Sequence, residues 1–421
     1  MKRISLNSIT LLLFLALISC SENPQLREAL PESVKISSER LNRIDSMLLQ
    51  SIDSGWIAGA AGFIARDGKI IYNRAFGMSD LDKKISLQTT DIFRIASQTK
   101  AITSIGLMML FEEGKFLLDD PISKYIPEFA HPLVLDKFNE KDTTFTTVPA
   151  KREITVRDLF THTSGIDYAG IGAPVMGAIY AKGGITGGFG NDKITIGDDI
   201  KLLGRQPLVH HPGEKWTYGL NVDVLGYLIE VLSGEKLDEY FKKHIFEPLG
   251  MNDTYFYLPA EKQTRLVKVS SENSDHKVVS MPQDFVNYPL LNGTYFAGGA
   301  GLSSTMIDYA VFLQMLLNKG EYNGKRVLSR RTVELITSNQ IGDLNLGPNK
   351  FGLGFEITTE RGQSVLGISE GSFSWGGYFG TTYWADPKER LVCLLFGQQF
   401  PLSHGEIGNK FKALVYQALE D

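Results

Sequence analysis

The fold is decided by Asp91-Ile-Phe-Arg-Ile-Ala-Ser97-Gln-Thr-Lys100 and the run it feeds, Ala101-Ile-Thr-Ser-Ile-Gly-Leu-Met-Met-Leu-Phe111. A short, largely apolar stretch ends on a serine, and a lysine follows three residues later. The segment after it is apolar on nearly every face, the signature of a buried helix. If Ser97 opens that helix, Ser97 and Lys100 lie one turn apart on the same side. The hydroxyl then sits at the positive end of the helix dipole beside an amine. An amine in a partly buried site has a lowered pKa and can take or relay a proton. A serine with no histidine partner can become a nucleophile in that way. The bland alternative is an ordinary N-cap serine. The same S-x-x-K spelling recurs at Ser233-Gly-Glu-Lys236 and Ser274-Asp-His-Lys277, but neither precedes a buried helix.

Working outward, 421 residues suit one large or two closely packed domains. Hydrophobic content of 43% and charged content of 22% are those of an ordinary globular protein. A net charge of −5 without a basic block gives no reason to expect nucleic acid as a partner.

The N-terminus has a different character. Lys2 and Arg3 precede an apolar run over residues 9–18, broken only by Thr10. Such a run is too short for a stable membrane span and fits the core of a signal peptide. It ends in Leu17-Ile18-Ser19-Cys20, which resembles the lipobox of bacterial lipoproteins. The expectation is a leader over residues 1–19, lipidation at Cys20, a tether over 20–35 and a folded domain over 36–421. That implies export to the bacterial cell envelope, on a lipid anchor in the membrane. The other cysteine, Cys393, lies in an apolar run, so no intrachain disulfide framework is expected.

Periodicity supplies the rest. Residues 40–50 have helical spacing. Residues 58–65, Asp67-Gly68 and 69–74 read as a β-hairpin with a favoured Asp-Gly turn. A turn at 117–121 leads to a short helix, and a helix beginning at Ile154 ends in Thr161-His-Thr-Ser-Gly165. Glycine is dense over 165–192, a composition unsuited to a rigid element and suited to a flexible wall over a pocket. Helices are expected over 222–233, 237–246, 306–317 and 406–419. Period-two strands are expected over 351–358, 377–384 and 390–398. These elements imply one sheet built from both ends of the chain, with a helical lobe between.

In order along the chain, Ser97-Gln-Thr-Lys100, Thr161-His-Thr-Ser-Gly165, Pro212-Gly-Glu-Lys-Trp-Thr-Tyr218, Asp223-Val-Leu-Gly226 and Gly301-Leu-Ser-Ser304 resemble the class C β-lactamase family of serine hydrolases. That family includes D-Ala-D-Ala carboxypeptidases, D-aminopeptidases and carboxylesterases. The resemblance runs from about residue 38 to the C-terminus. It implies an α+β fold of the β-lactamase/transpeptidase kind: an antiparallel sheet flanked by helices (residues about 36–100 and 295–421) plus an all-α lobe (about 101–294). It implies Ser97 as nucleophile, Lys100 as its proton partner and Tyr218, from the Y-x-N motif, as general base or proton relay. It also implies an oxyanion hole from the N–H groups of Ser97 and Tyr378, and no cofactor or metal.

Two departures bear on substrate. The Y-x-N motif has Leu220 at its third place, with Asn221 one residue later, and K-T-G is replaced by Trp375-Gly376-Gly377. Trp375 cannot make the charge-assisted bond that a lysine there would make to a substrate carboxylate. W-G-G resembles the esterase branch, and the expected substrate is a small ester or amide, with Trp375, Gly376, Gly377, Leu220 and Asn221 around it.

Rival sites are weaker. Gly367-Ile-Ser369-Glu-Gly371 spells G-x-S-x-G, and Asp386 and His404 come after it in triad order. The residues after Gly371 are glycine-rich and strand-like, whereas a nucleophile elbow needs a helix there. The seven histidines include no H-x-x-x-H pair, so a metal centre has no visible ligand set. A non-catalytic binding protein on the same fold is the alternative of another class.

Overall fold

The computed structural model describes residues 25–421. The expected leader and the lipidation site at Cys20 lie outside the described residues. The central sheet has nine strands: β1 (Arg27–Glu28), β2 (Gly59–Arg66), β3 (Lys69–Asp80), β4 (Ile85–Ser86), β5 (Lys350–Phe351), β6 (Glu356–Ile357), β7 (Phe373–Gly377), β8 (Thr381–Asp386) and β9 (Leu391–Phe396). Their order is β1-β3-β2-β9-β8-β7-β6-β5, with β4 on β3. The β2–β3 hairpin closes through Asp67 (φ 54°) and Gly68 (φ 70°), as the Asp-Gly dipeptide requires. The two ends of the chain meet where β9 runs antiparallel to β2, from Leu391 opposite Arg66 to Phe396 opposite Ala61. This is the β-lactamase/transpeptidase fold.

Period-two alternation decides what each face of the sheet covers. Ala61, Phe63, Tyr383, Val392, Leu394 and Phe396 belong to a core shared with α2 (Thr99–Glu112), α3 (Asn221–Ser233) and α4 (Met306–Leu317). Ala60, Ile64, Trp384, Cys393 and Leu395 belong to a second core under α1 (Ser38–Asp53) and α5 (Glu406–Gln417). The central helix α2 is buried almost all round, with only Met109, Phe111 and Glu112 reaching the surface. It packs on α3, which brings the stretch around Tyr218 to the stretch around Lys100.

Several expectations need correction. The sheet is not wholly antiparallel, because β1 pairs with β3 in parallel. Part of the stretch expected as a tether is therefore built into the fold, and Val34 and Ile36 are buried in the second core. The strand expected over 351–358 is a tight hairpin of β5 and β6, broken by Gly354 at φ 94°. The strand expected over 377–384 starts earlier, at Phe373, and is divided by a turn at residues 378–380. The region between α2 and α4 also carries a β-hairpin, Leu133–Asn139 with Thr144–Pro149. The glycine-dense 165–192 stretch holds a helix, Pro174–Lys182, because Met176, Ile179 and Tyr180 bury one side of it. Three short helices, Ile196–Leu203, Arg330–Ile336 and Glu360–Leu366, were not expected.

Phe63 is fully buried at the centre of the sheet, under α2 and α4. Phe63→Ala is expected to destabilise the fold by about 3–5 kcal/mol, read as a lower midpoint in urea denaturation.

Candidate active site

The segment before Ser97 is clamped from both sides. Phe93 and Arg94 pair antiparallel with Ser303 and Ser304. The Gln398 side chain accepts from the Arg94 N–H at 3.0 Å and donates to the Arg94 carbonyl at 3.1 Å. The buried Arg94 guanidinium donates to the carbonyls of Val286 (2.6 Å) and Val267 (2.7 Å). Ala96 then takes a left-handed conformation (φ 43°) while fully buried. A non-glycine residue there costs on the order of 1 kcal/mol and persists only where its surroundings enforce it. Ser97 follows in a 3-10 turn, Ala96–Gln98, and α2 begins at Thr99. Ser97 is thus not the N-cap of α2 but the centre of the strained turn before it.

Lys100 is 2% exposed. Its ammonium has three donors, and each finds an acceptor: Ser97 Oγ at 3.3 Å, Tyr168 Oη at 2.9 Å and the Gly299 carbonyl at 2.7 Å. The Nζ also lies 4.7 Å from the centroid of the Tyr218 ring. The structure thereby brings Ser97, Lys100 and Tyr218 together. It adds Tyr168, which sequence reading missed. Burial first, then the neighbouring Tyr218 and Asp223, hold the Tyr168 phenol well above its ordinary pKa, so it remains protonated. Nothing in the sequence marks Tyr168, because its link to Lys100 spans 68 residues.

Tyr218 sits in an aromatic box, with ring centroids at 4.9 Å to His162, 5.3 Å to Tyr168, 5.5 Å to Trp375 and 6.0 Å to Trp216. The indole N–H of Trp375 donates to Tyr218 Oη at 3.4 Å. The helix Val156–Phe160, fixed by a Thr155/Asp158 capping box, delivers the Thr161-His-Thr-Ser-Gly165 turn below the box. The His162 carbonyl accepts the Thr217 N–H at 2.8 Å, tying the two stretches together. His162 is fully buried, and burial together with the Lys100 charge pushes its pKa well down, leaving a neutral imidazole. Its Nδ1 accepts from Asn221 Nδ2 at 3.0 Å and the Gly219 N–H at 3.4 Å.

Leu220 and Asn221 do not take the place expected of them around a substrate. Both are fully buried. The Asn221 amide is committed to His162 Nδ1, the Ile166 carbonyl and the Ser164 hydroxyl, and Leu220 packs in the core. They build the wall that carries Tyr218, because α3 starts at Asn221 and turns both side chains inward.

On the opposite wall, Trp375, Gly376 and Gly377 form the end of β7 and are partly exposed. A Cβ at Gly377 would come within 2.4 Å of the Ile95 carbonyl, so only glycine lets β7 lie against the turn that holds Ser97. Tyr378 follows, in an apolar cluster with Ala96 and Phe379, and its N–H makes no backbone hydrogen bond among the described residues. Its ring stacks on Phe400 at 4.1 Å and meets Phe189 from the glycine-dense stretch at 5.9 Å.

Asp223, in the first turn of α3, is fully buried. Its Oδ1 accepts the Gly299 N–H at 3.0 Å, and its Oδ2 has no hydrogen-bond partner. Burial raises its pKa to about 6, and the Lys100 charge offsets part of that rise. Gly299 thus joins Asp223 on its N–H to Lys100 on its carbonyl.

The rival serine is not assembled into a triad. Ser369 comes after the helix Glu360–Leu366 and precedes β7, the reverse of a strand–turn–helix elbow. Asp386 accepts from Lys388 N, Glu389 N and Tyr416 Oη, and His404 stacks on Trp56.

A family model described as beta-lactamase matches residues 44–417. The chain belongs to the β-lactamase family. Among curated relatives, it is 29% identical to a lovastatin esterase of Penicillium rubens, covering 83% of this chain and 90% of that one. It is 28% identical to an Escherichia coli protein provisionally named a D-alanyl-D-alanine carboxypeptidase, covering 91% and 87%. Among solved structures, a mutant of simvastatin synthase LovD from Aspergillus terreus superposes with a TM-score of 0.76 at 26% identity, over 91% of this chain and 98% of that one. The family and these relatives are serine hydrolases, and so is this β-lactamase-family chain.

The Asp223 shift has a signed consequence. Its folded pKa, about 6, lies above its ordinary value of 3.8, so the folded state holds the proton more tightly. Its contribution to stability is present at low pH and is lost as pH rises through about 6. Asp223→Asn removes that dependence. Between pH 4 and pH 7 the stability of the native protein relative to the variant is expected to fall by about 2 kcal/mol in urea titrations.

Proposed function

We propose that this protein cleaves small carboxylic esters or amides, or transfers their acyl groups, through an acyl-enzyme on Ser97. The observation that carries this reading is the position of the Lys100 ammonium, bonded to Ser97 Oγ and set 4.7 Å from the Tyr218 ring. Tyr218 acts in this reading as the phenolate, with the Lys100 ammonium beside its ring. Tyr218 would take the Ser97 proton as Oγ attacks the substrate carbonyl, then return it to the leaving alkoxide or amine. Water or a second alcohol, deprotonated the same way, would release the acyl group and regenerate Ser97. The N–H groups of Ser97 and Tyr378 would hold the oxyanion, and one such donor is typically worth about 3 kcal/mol of barrier. Trp375 supports an ester over a substrate with a free carboxylate, since its only polar group already faces Tyr218 Oη. With the lipobox-like Cys20, the reading extends to an exported enzyme anchored to the membrane by lipid.

Full-length protein treated with a fluorophosphonate is expected to carry the adduct on Ser97. Ser97→Ala should lower hydrolysis of p-nitrophenyl butyrate by at least about 1,000-fold, and Tyr218→Phe by at least about 100-fold. A D-alanyl-D-alanine dipeptide or a chromogenic cephalosporin turned over faster than the ester would favour the carboxypeptidase or β-lactamase side of the family. Folded protein with no labelling at any serine would favour a binding protein on this scaffold.

A further inference from the structure

On the face of the sheet away from α2, a cavity of about 230 Å³ separates the first half of α5 from β2, β8 and β9. Its walls include the apolar side chains of Ala60, Leu395, Leu402 and Ile407. Packing does not require its openness. A Cβ at Gly408, inside α5, would meet nothing within 4 Å. A helix glycine costs about 1 kcal/mol relative to alanine, so the residue is tolerated with no steric need for it.

One charged side chain lines this space. Lys412 lies one turn beyond Gly408 on the same side of α5, and its Nζ sits 5.9 Å from the centroid of the Trp384 ring. Among the described residues its ammonium has no hydrogen bond and no ion pair. The carboxylate whose charge reaches it, Glu356, is itself held by Asn349 Nδ2. His404, also in the wall, is bonded to Glu406 and to the His276 carbonyl. Burial lowers the Lys412 pKa, which is the cost of keeping a cation there without a partner. Charges drawn out of water are ordinarily paired, and this half-buried one lines a cavity with no carboxylate in its walls.

We infer that this cavity is a second binding site, for a small monocarboxylic acid whose carboxylate pairs with Lys412 and whose apolar body fills the space among Ala60, Leu395, Leu402 and Ile407. One cation among walls that are mostly apolar suits a singly charged ligand with an apolar body, since hydroxyl and amide side chains such as Thr382 and Asn409 add donors but no second charge. The volume suits it also, since an apolar cavity of about 150 Å³ already accommodates benzene. The site is separate from the cleft at Ser97, although Phe379 and Gly380 in its wall directly follow Tyr378.

Benzoate is the probe and benzamide its uncharged control, titrated calorimetrically into the full-length protein. Benzoate is expected to bind, with benzamide at least tenfold weaker. Lys412→Met and Gly408→Leu should each weaken benzoate at least tenfold, the first by removing the charge and the second by filling the space. Saturating benzoate should also slow reductive methylation of Lys412, read by peptide mass spectrometry on the unmodified sequence, which keeps the test valid if a variant fails to fold. No binding up to about 10 mM benzoate, or binding that leaves Lys412 methylation unchanged, overturns the assignment. The second of those results would place benzoate elsewhere, for example in the cleft at Ser97.

Discussion

The structure depends on satisfying one nearly dry amine, that of Lys100. Lys100 is 2% exposed, and a buried cation is tolerated only if its donors are all satisfied. Its three acceptors come from three parts of the chain: Ser97 in its own turn, Tyr168 at a separation of 68 residues and Gly299 at 199. Moving any of the three strands a donor on a side chain that is only 2% exposed. The charge therefore fixes the loop below Tyr218 and the segment before α4 against the N-terminus of α2. Asp223, on the other side of Gly299, adds a counter-charge without touching the amine.

The sheet supplies the opposite constraint. Because β9 joins β2, the late strands β7 and β8 are placed by the early hairpin. The close approach of Gly377 to the Ile95 carbonyl then sets the end of β7 against the strained Ala96–Ser97 turn. Serine, lysine and tyrosine lie between two walls fixed independently, one by a buried charge and one by strand register. The aromatic box around Tyr218 closes the gap, and Trp375 reaches across it to the phenol.

Features that rest on local chemistry were legible in the sequence. The Asp-Gly hairpin, the all-apolar α2, the period of α4 and the last helix were readable because turn preference and periodicity act over a few residues. The grouping of Ser97, Lys100 and Tyr218 was legible only through resemblance to a family, since no spacing links residues 100 and 218. Tyr168 and the linkage from Asp223 through Gly299 were invisible because they are tertiary contacts between unremarkable residues. The placing of Leu220 and Asn221 failed for a related reason: motif position says nothing about which way the first turn of α3 points. Glycine counting over 165–192 misled because three buried side chains, Met176, Ile179 and Tyr180, outweigh the local preference for a loop.

The most direct measurement is acyl trapping. Full-length native protein would be mixed with excess p-nitrophenyl butyrate, acid-quenched during turnover and mapped by peptide mass spectrometry. A butyryl group on the peptide containing Ser97, absent from Ser97→Ala treated in the same way, is the expected result. Butyrylation of Ser369, or turnover by the native protein with no adduct at Ser97 at any time, would contradict the assignment of the nucleophile.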